Sequence, residues 1–322
     1  MVLLSSESLV KCRIIATGGK GGVGKTTTAA ALALHFAENE NLETLVISSD
    51  PTPSLSDIYE FQLDSKPTPI PHVSHLSGQE MSRDEIVRSW KERFGDEVYE
   101  VASSFLPVER DIIDYVADAP GIADDQYMLA YLLDIAESGK YDKIIWDTAP
   151  AGQTLSILKL ESRFYEHLTQ AANLYIRMRK NFESLGRKLR LRKKRSPLEI
   201  IEEWRELANN VLHTLRNPDM TEFVLVTIPE GLGLAQTRRV LIDLSQYGIR
   251  VNHLVINNVL PEEESIQKSP FLKARQAVQR PYLEKLEKLF DYNTTRVHML
   301  PIEVKGLGAL REIGQYLAGT AE

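Results

Sequence analysis

The chain has 322 residues, 43% hydrophobic and 26% charged, ordinary globular values that allow a full α/β core with room for an insertion, in one or two domains. Its net charge of −7 argues against nucleic acid as the main partner and leaves scope only for a local basic patch. With Cys12 as the single cysteine, an internal disulfide and any cysteine-based metal or iron–sulfur site within one chain are excluded. The opening Met-Val-Leu-Leu is too short for a secretory signal, and no apolar run is long enough to span a bilayer. A cytoplasmic protein is expected, with peripheral membrane association left open.

In chain order, the first predicted strand, Cys12 to Thr17, feeds Gly18-Gly19-Lys20-Gly21-Gly22-Val23-Gly24-Lys25-Thr26-Thr27, and an alanine-rich helix follows. A glycine, a spacer of four residues and then Gly24-Lys25-Thr26 form the pattern of a phosphate-binding loop, in the strand–loop–helix setting that such a loop needs. Glycines let backbone N–H groups turn inward around phosphate oxygens, and the helix N-terminus adds partial positive charge. Residues Gly19 to Thr27 are therefore assigned to a nucleoside triphosphate, with Lys25 reaching the β- and γ-phosphates and the Thr26 hydroxyl on Mg²⁺. Lys20 is not required by this pattern. So early in the loop it cannot easily curl back onto its own phosphates, but it can reach a nucleotide held by a second subunit.

A second strand, Thr44 to Ser48, leads to Asp50-Pro51. An aspartate before proline is commonly an Asx-turn residue. Its place at a strand's carboxyl end beside the phosphate loop selects the catalytic reading, in which Asp50 orients a water in line with the γ-phosphate and accepts its proton. A third strand is expected over His72 to Leu76, and residues 81–138 read as helices, with a Ser82/Glu85 capping box and Ile86, Val87, Trp90 and Phe94 at helical spacing. The strand Lys143 to Trp146 ends in Asp147, which fits a carboxylate holding Mg²⁺ through a water. Gly152, beyond it, lets an N–H approach the γ-phosphate, so that the following segment moves when that phosphate leaves.

Residues 158–217 are again helical. Leu168, Ala172, Tyr175, Met178, Phe182, Leu185 and Leu189 form one apolar stripe. Ser196-Pro197-Leu198-Glu199 is a capping box with proline at the first helical position, Ile201, Trp204, Ala208, Leu212 and Leu215 form the next stripe, and Asn217-Pro218 stops it. Strands follow at Glu222–Thr227, Asn252–Asn257 and Thr295–Leu300. Alternating strands and helices, with continuously apolar strands, imply an α/β fold with a mostly parallel, doubly wound sheet. The nucleotide domain is expected over 1–80, 139–157 and 218–322, with an inserted α-helical subdomain over 81–138 and 158–217.

The segment Lys20-Gly-Gly-Val-Gly-Lys-Thr-Thr27 resembles the deviant phosphate loop of dimeric ATPases that include partition and division ATPases, the nitrogenase iron protein, and arsenical-pump and tail-anchored-protein targeting ATPases. In that group the early lysine touches the partner's nucleotide, so the resemblance implies a nucleotide-sandwich homodimer. Asp50-Pro-x-x-x-Leu-Ser-Asp57 and Asp147-Thr-Ala-Pro-x-Gly-x-Thr-Leu155 narrow it to the arsenical-pump and guided-entry targeting ATPases, and the similarity runs essentially end to end. It implies that Glu230, closing Val224-Leu-Val-Thr-Ile-Pro-Glu, lies at the nucleotide and that Asn257 reads adenine, an amide being suited to adenine's paired donor and acceptor. It implies also that the loop from Leu300-Pro301 closes over the base. Where eukaryotic targeting ATPases carry Cys-x-x-Cys, the aligned residues are Ser269 and Leu272, so no zinc is expected. Thr52-Pro53 replaces the usual Ala-His.

On this resemblance the chain is an ATP-hydrolysing homodimeric switch that binds hydrophobic helices of tail-anchored membrane proteins and delivers them to a membrane, with a receptor or pump subunit as a further partner. Two alternatives stand: the ATPase subunit of an arsenite efflux pump, disfavoured by the lack of thiols, and a partition-type surface ATPase, disfavoured by the Asp-Thr-Ala-Pro motif and the helical insertion. The apolar stripes serve either as a client groove, such as methionine-rich surfaces provide, or as the subdomain's own core. The basic run Arg187 to Arg195 is either a solvated linker or a contact for anionic lipid, an acidic partner or RNA. Asp50→Asn is expected to bind ATP and accumulate closed dimer while hydrolysis drops by about 100-fold or more; wild-type turnover would remove Asp50 from the mechanism. Lys20→Ala is expected to lose hydrolysis and keep substantial nucleotide affinity, and equal loss of both would place Lys20 in its own subunit's site.

Overall fold

The computed structural model describes residues 3–48, 54–105, 107–119, 122–148, 195–262, 269–291 and 293–321. From the start of the chain, α1 (Glu7–Lys11) leads into β1 (Ile14–Gly19), α2 (Lys25–Asn39), β2 (Thr44–Ser48), α3 (Leu55–Tyr59), β3 (Thr68–Pro69) and β4 (Leu76–Glu80). Three helices follow, α4 (Arg83–Phe105), α5 (Ile112–Ala117) and α6 (Ala123–Ser138), before β5 (Lys143–Asp147). The remaining described elements are α7 (Pro197–Arg216), β6 (Thr221–Thr227), α8 (Gly231–Gln246), β7 (Val251–Val259), α9 (Pro270–Leu289), β8 (Thr294–His298) and α10 (Gly306–Ala318).

The strands form one sheet in the order β3-β4-β2-β5-β1-β6-β7-β8. Every pairing is parallel except that of β3 with β4. Strands β1, β2, β5 and β6 are buried along their whole length, as continuous apolar runs must be when helices cover both faces of a parallel sheet. Ala29, Ala30, Leu32, Ala33 and Phe36 of α2 join Leu310, Ile313 and Leu317 of α10 in the main core. The small side chains of α2 let that helix lie close to the strand that feeds it.

The expected strand at His72–Leu76 begins only where that segment ends. His72 and His75 have φ of 64° and 62°, left-handed values that turn the chain, and the strand runs from Leu76 to Glu80. Its polar look hid it. Gly78 fits there because a Cβ would come within 2.8 Å of the Leu63 side chain, which would have to shift to admit it.

The chain divides into two compact units. One comprises Met1–Ser82, Asp134–Leu155 and Thr214–Glu322, the other Arg83–Leu133 and Ser156–His213. The first unit reaches into the ends of α6 and α7. Arg13 donates to the Ala136 carbonyl at 2.6 Å, and the Thr221 hydroxyl to the Thr214 carbonyl at 2.9 Å, so these terminal turns bond to the bases of β1 and β6. In the helical unit, Trp90, Phe94, Ile200, Ile201 and Trp204 share a core. The Ser196 hydroxyl accepts from the Glu199 N–H at 3.2 Å while the Glu199 carboxylate accepts from the Ser196 N–H at 2.7 Å, a closed capping box at the start of α7.

A buried polar floor lies under the amino ends of the strands. Lys143, 2% exposed, donates to the carbonyls of Leu9 at 2.8 Å, Val10 at 2.7 Å and Cys12, closing the C-terminus of α1 with a cation. The Asn252 amide donates to both oxygens of buried Glu222 at 3.1 and 3.2 Å. Burial pushes the Glu222 carboxyl up and the Lys143 ammonium down. His253, 3% exposed, has Nε2 at 3.1 Å from the Ser6 hydroxyl and 3.3 Å from that of Ser8, and burial lowers its pKa to about 4.

Between pH 6.5 and 4 the unfolded chain binds a proton at His253 that the folded chain does not. Stability is therefore present above about pH 6.5 and is lost as pH falls toward 4. Unfolding by urea is expected to require ~2 kcal/mol less at pH 5 than at pH 7 from this residue. His253→Gln should flatten the difference, and an unchanged pH slope in that variant would assign the loss elsewhere.

Candidate nucleotide site

β1 enters the glycine loop beside β6, with Gly19 opposite Val226. A Cβ on Gly19 would run into the Val226 carbonyl, so the loop leaves the sheet by hugging its neighbour. At the other end Gly24 caps α2 in the left-handed region, at φ 96°, and a Cβ there would run into the amide nitrogen of Asn257. Glycine is thus required at both hinges of the loop. Between them Lys20, Gly21 and Gly22 are exposed and Val23 is buried, so the loop's backbone faces outward while one side chain pins it to the core. Thr26 and Thr27 are half-buried in the first turn of α2, whose N–H groups and partial positive charge face the loop.

Lys25 is 5% exposed, and its ammonium donates to the Lys20 carbonyl at 3.4 Å, across the mouth of the loop. The Lys20 side chain is exposed. Asp147 is fully buried at the end of β5, in register with Thr17 of β1 on one side and Ser48 of β2 on the other. The Thr17 and Ser48 hydroxyls donate to its two oxygens at 3.4 Å each, so the carboxylate is held by the strand on either side. The Thr148 hydroxyl donates to the Thr17 carbonyl at 2.7 Å. Asp50, Thr52, Pro53 and Gly152 lie outside the described residues.

The remaining assigned residues are distributed along the carboxyl edge of the sheet. Asn257, near the end of β7, donates to the Val23 carbonyl at 2.9 Å and so props the loop. Any reading of adenine falls to its carbonyl oxygen and its other N–H. Glu230 occupies the N-cap of α8, where its carboxylate pairs with Arg275 of α9 at 3.0 Å and both side chains are well exposed. Pro301 is exposed in the loop between β8 and α10. Two residues that sequence reasoning missed stand next to the loop: the Ser54 hydroxyl lies 3.3 Å from that of Thr26, and the Glu80 carboxylate accepts from the Ser54 N–H at 2.7 Å. Their signal was the carboxyl end of β4, hidden by the misplaced strand.

Backbone hinges that admit no Cβ, a helix N-terminus and a lysine together fit a triphosphate, and the hard oxygens of Thr26 and Asp147 fit a divalent cation such as Mg²⁺. This arrangement, carried at the carboxyl ends of central parallel strands, is that of the P-loop nucleoside triphosphatases. The model of one family, described as anion-transporting ATPase, matches residues 12–319, and the chain belongs to that family of ATP-hydrolysing enzymes. It is similar to the ATPase GET3A of Arabidopsis thaliana, 31% identical over 96% of this chain and 84% of the relative. It is also similar to the ATPase GET3 of Komagataella phaffii, 30% identical over 98% and 91%, and to the ATPase get3 of Schizosaccharomyces pombe, 30% identical over 98% and 93%.

Asn257→Ala deletes the prop under Val23 and is expected to weaken ATP binding about tenfold, read by displacement of a fluorescent nucleotide. Gly24→Ala should abolish binding, and the double variant should not recover it, because the left-handed backbone at 24 disfavours a Cβ even with Asn257 gone. Recovery in the double variant would locate the whole requirement for glycine in the Asn257 contact.

Proposed function

We propose that this ATPase is a homodimeric switch that holds hydrophobic segments of tail-anchored membrane proteins in one nucleotide state and releases them to a membrane in another. The end-to-end match to the GET3 ATPases is the observation that carries this reading, since it spans the helical unit as well as the nucleotide unit. In the proposed cycle Lys25 and the loop backbone hold the triphosphate, Lys20 reaches the partner's nucleotide, and Asp50 positions the attacking water. Thr26 and Asp147 would hold Mg²⁺, whose charge offsets that of the phosphates. Asn257, Glu230 and the loop at Pro301 would surround the base.

Among the described residues no helix is long and apolar enough to cross a membrane. Ile201 and Trp204 are buried with Trp90 and Phe94, which supports a core role for that part of the stripe. Client contact then falls to the stripe from Leu168 to Leu189, which lies outside the described residues. The arsenite-pump alternative needs soft thiolate ligands. Cys12 is buried, and burial pushes its thiol up to about 11, which opposes that role.

Asp50→Asn, mixed with a tail-anchored segment and ATP, is expected to retain the segment as a dimer on size exclusion, with release when ADP replaces ATP. Phe182→Ser with Leu185→Ser should lower capture about tenfold without changing hydrolysis. Failure to retain the segment in any nucleotide state would sink the targeting function, and stimulation of wild-type hydrolysis by arsenite would favour the pump subunit instead.

A further inference from the structure

Glu80 closes β4 and is the register partner of Ser48, which closes β2. After Ser48 the next described residue is Ser54, and the Glu80 carboxylate reaches to that point. Its Oε1 accepts from the backbone N–H of Ser54 at 2.7 Å and of Leu55 at 3.0 Å. Its Oε2 accepts from the N–H of Ser56 at 3.3 Å and from the Ser56 hydroxyl at 2.5 Å. The helix held in this way, α3, has five residues, too few to persist without such a partner. The network closes on itself, because the Ser56 oxygen also accepts from the Leu63 N–H at 3.0 Å and the Glu80 N–H donates to the Asp64 carbonyl at 3.1 Å. Four donors turn the carboxylate toward α3.

The result of this anchoring is the place of Ser54, whose hydroxyl stands 3.3 Å from the Thr26 hydroxyl. A threonine that offers an oxygen lone pair to a cation has its hydrogen left to donate, and the acceptor of that hydrogen sets the direction of the lone pair. Ser54 is within reach as that acceptor. We propose that Glu80 is a positioning residue for ATP hydrolysis, holding Ser54 so that the Thr26 hydroxyl is aimed at the cation of the bound nucleotide. The inference rests on the Mg²⁺–ATP reading of the site given above.

The test compares wild type with Glu80→Gln, Glu80→Ala, Ser54→Ala and the Glu80→Ala/Ser54→Ala double variant. Hydrolysis is titrated with Mg²⁺ at saturating ATP, and binding of a fluorescent ATP analogue is measured in Mg²⁺ and in EDTA. Glu80→Ala is expected to raise the Mg²⁺ needed for half-maximal rate about tenfold and to lower kcat about 10- to 100-fold. Its affinity in EDTA should stay within about twofold of wild type, since only the cation-dependent part of binding passes through Thr26. Ser54→Ala should raise the Mg²⁺ requirement about tenfold alone, as Glu80→Ala does, and add nothing in the Glu80→Ala background, as residues acting in series must. Glu80→Gln keeps one acceptor oxygen and should fall between, which guards against a Glu80→Ala chain that does not fold. An unchanged Mg²⁺ requirement in Glu80→Gln and Glu80→Ala, a full Ser54→Ala effect in the double variant, or parallel loss of affinity in EDTA would overturn the proposal. A wild-type chain indifferent to Mg²⁺ would instead overturn the underlying reading of the site.

Discussion

Ser48, Asp147 and Thr17 stand in one row across β2, β5 and β1, and the buried carboxylate in the middle receives a hydroxyl from each side. Parallel pairing makes this possible because neighbouring strands end in step. A slip of one residue in either pairing would send that strand's hydroxyl to the opposite face and take a donor from a buried carboxylate, at a cost of about 1–3 kcal/mol. The apolar residues that lock the register, Ile14, Ile15, Val46, Ile144 and Ile145, are each no more than 1% exposed. Core packing and the chemistry of the phosphate site are thus one constraint, and the glycine loop, α3 and the Asn257 prop are all arranged around the row it creates.

The central fold was legible because its signals are local and redundant. Continuous apolar runs marked the strands, glycine and Lys25-Thr26 marked the loop, and Ser196 with Glu199 marked the start of α7, where both bonds of the capping box are formed. The β4 strand was illegible for a physical reason. Leu76-Ser77-Gly78-Gln79-Glu80 looks like a loop, yet Gln79 is fully buried with its amide donating to the Ser65 carbonyl at 2.5 Å, and Gly78 is small because Leu63 and Ile70 press on it. Such a strand is specified by packing against Leu63 and Ile70, by the Ser65 carbonyl and by pairing with β2, none of which leaves a trace in its own alternation of residues. Asn257 illustrates the same limit from another side: its position at a strand end was readable, its bond to the Val23 carbonyl was not. Ser54 and Glu80 escaped notice for want of the strand that brings them together.

The helical unit stabilises itself by placing the polar ends of its tryptophans on partners. The Trp90 indole donates to Gln126 at 3.0 Å and the Trp204 indole to Glu97 at 2.7 Å, while Arg195 bridges Glu97 and Glu203. Large rings bury apolar area, and the single N–H of each fixes its orientation. The aromatic core is therefore directional as well as apolar, and the helices that contribute to it, α4, α6 and α7, are set relative to one another by bonds to two side chains that a purely apolar packing would leave free to shift.

The thiol of Cys12 is enclosed beneath β1, donates to the Leu9 carbonyl at 3.5 Å and ionises only near 11. At neutral pH almost none of it is thiolate, the form that alkylating reagents and peroxides attack. The native chain is accordingly a quiet background for labelling chemistry. A cysteine introduced at an exposed position would be the one group to take a maleimide dye or spin label, so distances between nucleotide states can be followed without first removing a natural residue.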